Sequence, residues 1–187
     1  MSALVGPNPA GPGPAVVLIT GVMAAGKSTV AQALAERLPR SAHVRGDAFR
    51  RMTVSGRVEM GSPDEAEALA QLRLRYRLSA SAADTYAAAG WTAVVQDIVI
   101  GAELPAYLAL VRTRPRYAVV LAPSASAVRA RESARAKTGY SATTTVDHLD
   151  RVLREETPRV GLWLDTSYRT PEETVDTILA RLPEARV

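Results

Sequence analysis

The chain has 187 residues, 47% of them hydrophobic, which suits one compact core and leaves no room for a second. It contains no cysteine, which excludes disulfides, thiolate catalysis and cysteine-based zinc sites and makes the cytoplasm the expected compartment. The net charge of +4 is carried almost wholly by arginine, since the only lysines are Lys27 and Lys137. Aromatics make up 5% and never interleave with basic residues, which argues against a stacking platform for nucleic acid.

The first fourteen residues are rich in Pro and Gly, lack the charged-then-apolar order of a secretory leader, and read as a disordered tail. No apolar run approaches the ~18–20 residues needed to span a bilayer. Ala15 to Thr20 is a short apolar run ending at Gly21, the pattern of a buried parallel strand. Ser28 to Leu38 has helical spacing, with Val30, Leu34 and Leu38 on one face, and Pro39 stops it. His43 to Arg45 reads as a second strand ending at Gly46-Asp47, followed by a short helix through Met52. Ser55 to Ser62 is loop-like. Ser62-Pro63-Asp64-Glu65 then predicts a helix capped by Ser62 and running to Ala89, where Gly90 ends it.

Thr92 to Val95 predicts a third strand leading into Gln96-Asp97, and Pro105 to Val111 a helix. Tyr117 to Leu121 is a fourth strand, and Ser124 to Ala136 an arginine-rich helix. Gly139 to Thr145 is a polar loop, and Val146 to Glu155 is helical. Leu162 to Leu164 forms a fifth strand, after which Thr170 caps the last helix. Five strands alternating with helices predict an α/β fold with a parallel sheet covered on both faces. Such sheets bind ligands at the carboxyl ends of their strands, where every polar motif of this chain falls.

The strongest of these motifs is Gly21-Val-Met-Ala-Ala-Gly26-Lys27-Ser28, a phosphate-binding loop of the form G-x-x-x-x-G-K-[ST] between a buried strand and a helix. Its backbone N–H groups wrap phosphates, so Gly21, Ala24, Ala25, Gly26, Lys27, Ser28 and Thr29 are the expected nucleotide cradle. Lys27 reaches the β- and γ-phosphates, and Ser28 coordinates Mg²⁺. Asp47, at the end of the second strand, can take a proton from an acceptor hydroxyl, or it can cap the helix that follows. Asp97, at the end of the third strand, occupies the position of a second Mg²⁺ ligand.

Arg129, Arg131 and Arg135 share a helix with a glycine-containing loop beyond it, and residues 129–145 read as a lid whose arginines grip phosphate oxygens. Asp165-Thr166-Ser167 can offer backbone groups to a base, with Thr166 as the candidate, or form a simple turn. Arg50, Arg51, Arg57, Tyr76 and Gln96 are candidates for an acceptor pocket by position alone. His43 and His148 lie far apart in sequence and read as structural.

Taken together, Ala25-Gly-Lys-Ser28, Asp47, Asp97, Arg131-Glu-Ser-Ala-Arg135 and Leu164-Asp-Thr-Ser167 resemble the chloramphenicol phosphotransferase-like branch of the P-loop kinases, from Val16 to about Leu182. The resemblance implies the fold of nucleoside-monophosphate and shikimate kinases, with strand order 2-3-1-4-5. It implies Asp47 as catalytic aspartate, Arg131 and Arg135 as lid arginines, and ATP and Mg²⁺ as cofactors. Where that family carries paired acids this chain has Gln96-Asp97, and the segment from Arg50 to Ser62 does not match. The implied activity is therefore phosphorylation of a small-molecule hydroxyl, on an antibiotic, nucleoside or sugar, and not of chloramphenicol in particular. The rival readings are a nucleotide switch or ATPase without such an acceptor, and a nucleic-acid end kinase. No Asn-Lys-x-Asp guanine motif is present to support a GTPase.

Overall fold

A computed structural model of the chain describes residues 11–134 and 145–187. Five parallel strands form one sheet in the order β2-β3-β1-β4-β5. They are β1 (Ala15–Gly21), β2 (Ser41–Arg45), β3 (Thr92–Gln96), β4 (Arg116–Leu121) and β5 (Leu162–Leu164). β1 is central and every one of its residues is buried, as its unbroken apolar run requires. Its register sets Val16 beside Ala93 on one side and Arg116 on the other.

The helices are α1 (Lys27–Arg37), α2 (Gly46–Met52), α3 (Glu65–Ala88), α4 (Glu103–Leu110), α5 (Ala125–Ser133), α6 (Val146–Arg151) and α7 (Pro171–Ala180). They cover both faces of the sheet, with α1 packed on α7 and α3 on α4. Full burial of a side chain such as Leu18, Ile19 or Leu34 contributes about 1.5–3 kcal/mol. No helix among the described residues is long and apolar enough to cross a membrane.

Several boundaries differ from the sequence reading. The cap of α3 is Asp64, whose side chain accepts from the Glu67 amide, and not Ser62. Ser62 is instead taken up in a preceding turn, its amide donating to the Glu59 carbonyl. α4 begins at Glu103, two residues early, because Pro105 is tolerated within a first turn. The helix expected over 146–155 becomes a π-helical turn at Val152–Glu156. Thr170 does cap α7, in a reciprocal pair with Glu173. Of the tail, residues 11–14 are described, and there the Gly13 carbonyl accepts from the Thr92 hydroxyl at 2.5 Å. Arg135, Lys137 and Gly139 of the expected lid lie outside the described residues.

Candidate active site

β1 delivers the chain to the carboxyl edge of the sheet, and residues 22–26 turn it into α1. At Gly21 a side chain would overlap the carbonyl oxygen of Leu121 on β4. Ala24 and Gly26 both adopt left-handed backbone, with φ of 59° and 93°. For alanine this costs about 1–3 kcal/mol, a strain typical of ligand clamps. Gly26 caps α1 with no side-chain bond to the first turn, and a Cβ placed on it would meet nothing within 4 Å. The turn thus keeps open space at a helix N-terminus, where amides favour an anion. Lys27 is buried and its Nζ donates to the Val22 carbonyl at 2.6 Å, folded over its own loop. Ser28 and Thr29 are exposed on the first turn.

Arg131, on α5, ties this loop to the loop after β5. Its Nη1 donates to the Ala25 carbonyl at 3.4 Å, and its Nη2 to the Thr166 and Ser167 carbonyls at 2.5 and 3.3 Å. Asp165 closes a turn by accepting from the Ser167 amide and hydroxyl, which lowers its carboxyl pKa. Thr166 is buried inside that turn. Arg129 reaches across to Asp147 on α6 at 2.8 Å.

Asp97 follows β3 and is buried. Its Oδ1 accepts from Arg75 Nη2 at 2.9 Å and from the Ile98 amide at 2.8 Å. Its Oδ2 is buried with no hydrogen-bond partner. Burial raises the carboxyl pKa, against the pull of Arg75, the Ile98 amide and Lys27, while the charge of Asp47 raises it further. These groups therefore converge on one edge of the sheet. Gly46 makes the convergence possible, because a Cβ there would overlap the Asp97 carboxylate. The residues fit a divalent cation: an unpartnered carboxylate oxygen is relieved by an adjacent positive charge. Among the described residues no three His, Cys, Asp or Glu side chains gather to hold a metal alone, so Mg²⁺ here would depend on nucleotide phosphates.

Asp47 is the second residue of α2 and does not cap it, since the helix has already begun at Gly46. Its Oδ2 pairs with Arg51 at 2.8 Å, and its Oδ1 lies 3.7 Å from Arg45 Nε. That Oδ1 is buried without a hydrogen bond.

Beside the loop opens a cleft of about 1060 Å³ between α2, residues 53–61, α3 and the segment after β3. Met23 of the phosphate-binding loop lines it directly. Its floor, Ile98 and Ile100, is pinned from three sides. Thr20 Oγ1 donates to the Val99 carbonyl at 2.8 Å and accepts from the Val99 amide at 2.9 Å. Tyr76 donates its hydroxyl to the Ile98 carbonyl at 2.6 Å, and Thr157 accepts from the Gly101 amide at 2.7 Å.

Residues 16–158 match the AAA_33 family, described as an AAA domain. The chain belongs to that family. Among solved structures, the AAA_33 chain is similar to a sugar kinase from Janibacter sp., at TM-score 0.66 and 22% identity over 91% of this chain and 95% of that one. It is similar to a Deinococcus radiodurans tunicamycin resistance protein, at TM-score 0.66 and 19% identity over 92% and 97%. A Bacteroides thetaiotaomicron shikimate kinase follows at TM-score 0.59 and 13% identity over 91% and 97%. These likenesses establish the fold. No curated protein matches the sequence.

Of the pocket candidates, Arg50, Arg57 and Tyr76 line the cleft, whereas Arg51 is turned to Asp47 and Gln96 is buried in β3. His148, read as structural, also lines it, and His43 bonds Gln32 at 2.8 Å on α1. Sequence reasoning missed Arg75. It stands among Arg73, Arg75 and Arg77 on one helix, and spacing alone does not single it out.

Proposed function

We propose that the protein is an ATP-dependent phosphotransferase that moves the γ-phosphate onto a hydroxyl of a small molecule. The observation that carries this is adjacency: the phosphate-binding loop and a large cleft meet at one sheet edge, and a residue of the loop lines the cleft. A switch or a bare ATPase needs no such second compartment. The similar sugar kinase and shikimate kinase support the reading, as do the loop and strand-end residues that resemble the chloramphenicol phosphotransferase-like kinases. The tunicamycin resistance protein lends support to an antibiotic-directed role.

In this reading Lys27 leaves the Val22 carbonyl for the β- and γ-phosphate oxygens, and the amides of residues 24–29 hold the rest. Arg131, and Arg135 with it, spread charge on the transferring group. Ser28 and the free oxygen of Asp97 would hold Mg²⁺, which when bound neutralises charge on the β- and γ-phosphates. Asp47 orients the acceptor hydroxyl and accepts its proton as the oxygen attacks the γ-phosphorus. The bridging oxygen leaves with the electron pair of the broken bond, on ADP. The test is ADP release across a panel of hydroxylated compounds. Acceptor-dependent release that vanishes in Lys27→Ala is expected, and release indifferent to every acceptor overturns the proposal.

A further inference from the structure

The lining of the cleft narrows the acceptor, and this step rests on the phosphotransferase reading. Pockets for drug-sized ligands span about 300–1,000 Å³. A cleft of about 1060 Å³ lies just above that range and exceeds what a single sugar ring fills. Phe49, Leu72, Ile98, Ile100, Leu149 and Val152 give it apolar floor and walls. Around its mouth Met60, Leu74 and Leu78 stay 52%, 45% and 44% exposed, large apolar side chains gathered at one opening.

The charges point the same way. Three arginines line the cleft among the described residues, and two carboxylates are shared among them. Arg50 and Arg57 both bind Glu59, at 2.5 and 3.2 Å, and Arg75 binds Asp97 at 2.9 Å. Glu65, Glu67 and Glu103 add further acids to the lining. Glu103 is paired with Arg73 at 2.8 Å, but Glu67 accepts only from the neutral Gln71 amide among its hydrogen bonds. An anionic ligand would compete with Glu59 and Asp97 for the arginines while facing the remaining carboxylates.

We infer that the acceptor is a hydroxylated molecule with a large apolar body and no negative charge on the part that enters the cleft. Sugar acids, nucleotides and polynucleotide ends are disfavoured by this lining of the described residues.

The experiment is a screen of hydroxylated compounds graded by apolar surface and charge, scored by ADP release above the Lys27→Ala background. Matched sets include glucose, octyl glucoside and octyl glucuronide, and uridine with uridine monophosphate. The expected leading acceptor is apolar-bodied and without an anionic group. A leading acceptor carrying carboxylate, sulfate or phosphate, or a bare monosaccharide, overturns the inference and leaves the phosphotransferase reading standing. Failure of every compound to raise ADP release overturns that reading, and the inference with it. With the leading acceptor, Leu74→Glu and Leu78→Glu should each raise its KM by about tenfold or more without changing the melting temperature. An unchanged KM in both removes the apolar wall from the site. Glu59→Gln, which releases Arg50 and Arg57, should lower the KM of an anionic analogue of that acceptor at least several-fold relative to wild type. No such gain would refute the charge argument.

Discussion

Gly46→Ala is the smallest change that tests whether Asp97 is held where the site needs it. The added methyl group would overlap Oδ2 and Cγ of Asp97 and lie 2.9 Å from its Cβ. Relief requires the carboxylate or the start of α2 to move by about 1 Å, a displacement that can cost ~10²-fold in rate when it misplaces a reacting group. Asp97 cannot yield freely, since Arg75 and the Ile98 amide hold it at 2.9 and 2.8 Å. Forcing an extra methyl group into packed surroundings costs about 1–3 kcal/mol. At roughly 2–4 °C per kcal/mol for a domain of this size, the melting temperature should fall by about 2–12 °C.

The assays are thermal unfolding, calorimetry with a non-hydrolysable ATP analogue, and acceptor-dependent ADP release. We expect near-normal nucleotide affinity in the absence of Mg²⁺, a lowered melting point and a kcat reduced ~10²-fold. Pairing Gly46→Ala with Asp97→Ala removes the two closest overlaps and leaves only the 2.9 Å approach to Cβ, so the two losses of stability should be non-additive. A Gly46→Ala protein with unchanged melting temperature and kcat within about threefold of wild type, far from that hundredfold loss, would refute the reasoning.

Three further outcomes are expected. Asp47→Asn should bind ATP analogues normally yet transfer phosphate ~10²–10⁴-fold more slowly, and since Asp47 caps nothing its stability should barely change; transfer within threefold in a coupled ADP assay would move the base elsewhere. Arg131→Ala loses bonds to three carbonyls in two loops, so kcat should fall by more than KM for ATP rises, and steady-state kinetics with an unchanged kcat would reduce Arg131 to a strut. Asp84 pays for burial, which pushes its pKa up, but bonds from the Thr113 hydroxyl and amide and the Arg112 amide outweigh this and hold it below the usual range. Its contribution is therefore present above the unfolded carboxylate pKa, near 4, and is lost as pH falls through the lower folded value. Melting temperatures from pH 6 downward should fall less steeply in Asp84→Asn, and an identical acid limb would sink the assignment.

The fold was legible because its signals are local. A short apolar run rich in β-branched residues and closed by Gly21 reads as a buried strand, and Thr170 with Glu173 announces a helix start in four residues. The phosphate-binding loop is legible for the same reason, its glycines and Lys27 being contiguous. The rest of the site is not local. Arg75 meets Asp97 only because a 24-residue helix crosses the end of β3, and nothing in a run of alternating arginines says which one crosses it. Gly46 looks like a turn residue until the Asp97 carboxylate is seen against it. Ser62 and Asp64 are both good caps two residues apart, and the choice fell to which amide each could reach.

The two sides of the cleft are built differently. Thr20, Tyr76 and Thr157 bolt the segment after β3 to the central strand, α3 and the π-helical turn, through bonds that are largely buried. The opposite wall, residues 53–61, is fastened mainly through Gln71, which meets the Gly56 carbonyl and the Val58 amide, and through the Glu59 ion pairs at the surface. One side is chassis and the other is a cassette. Replacing residues 53–61, with Gln71 retained as the socket, should retune which molecules are accepted while the reaction edge stays where β1 and β3 put it. Swapping this segment between family members is thus a direct way to change what the cleft admits without disturbing the phosphate-binding edge.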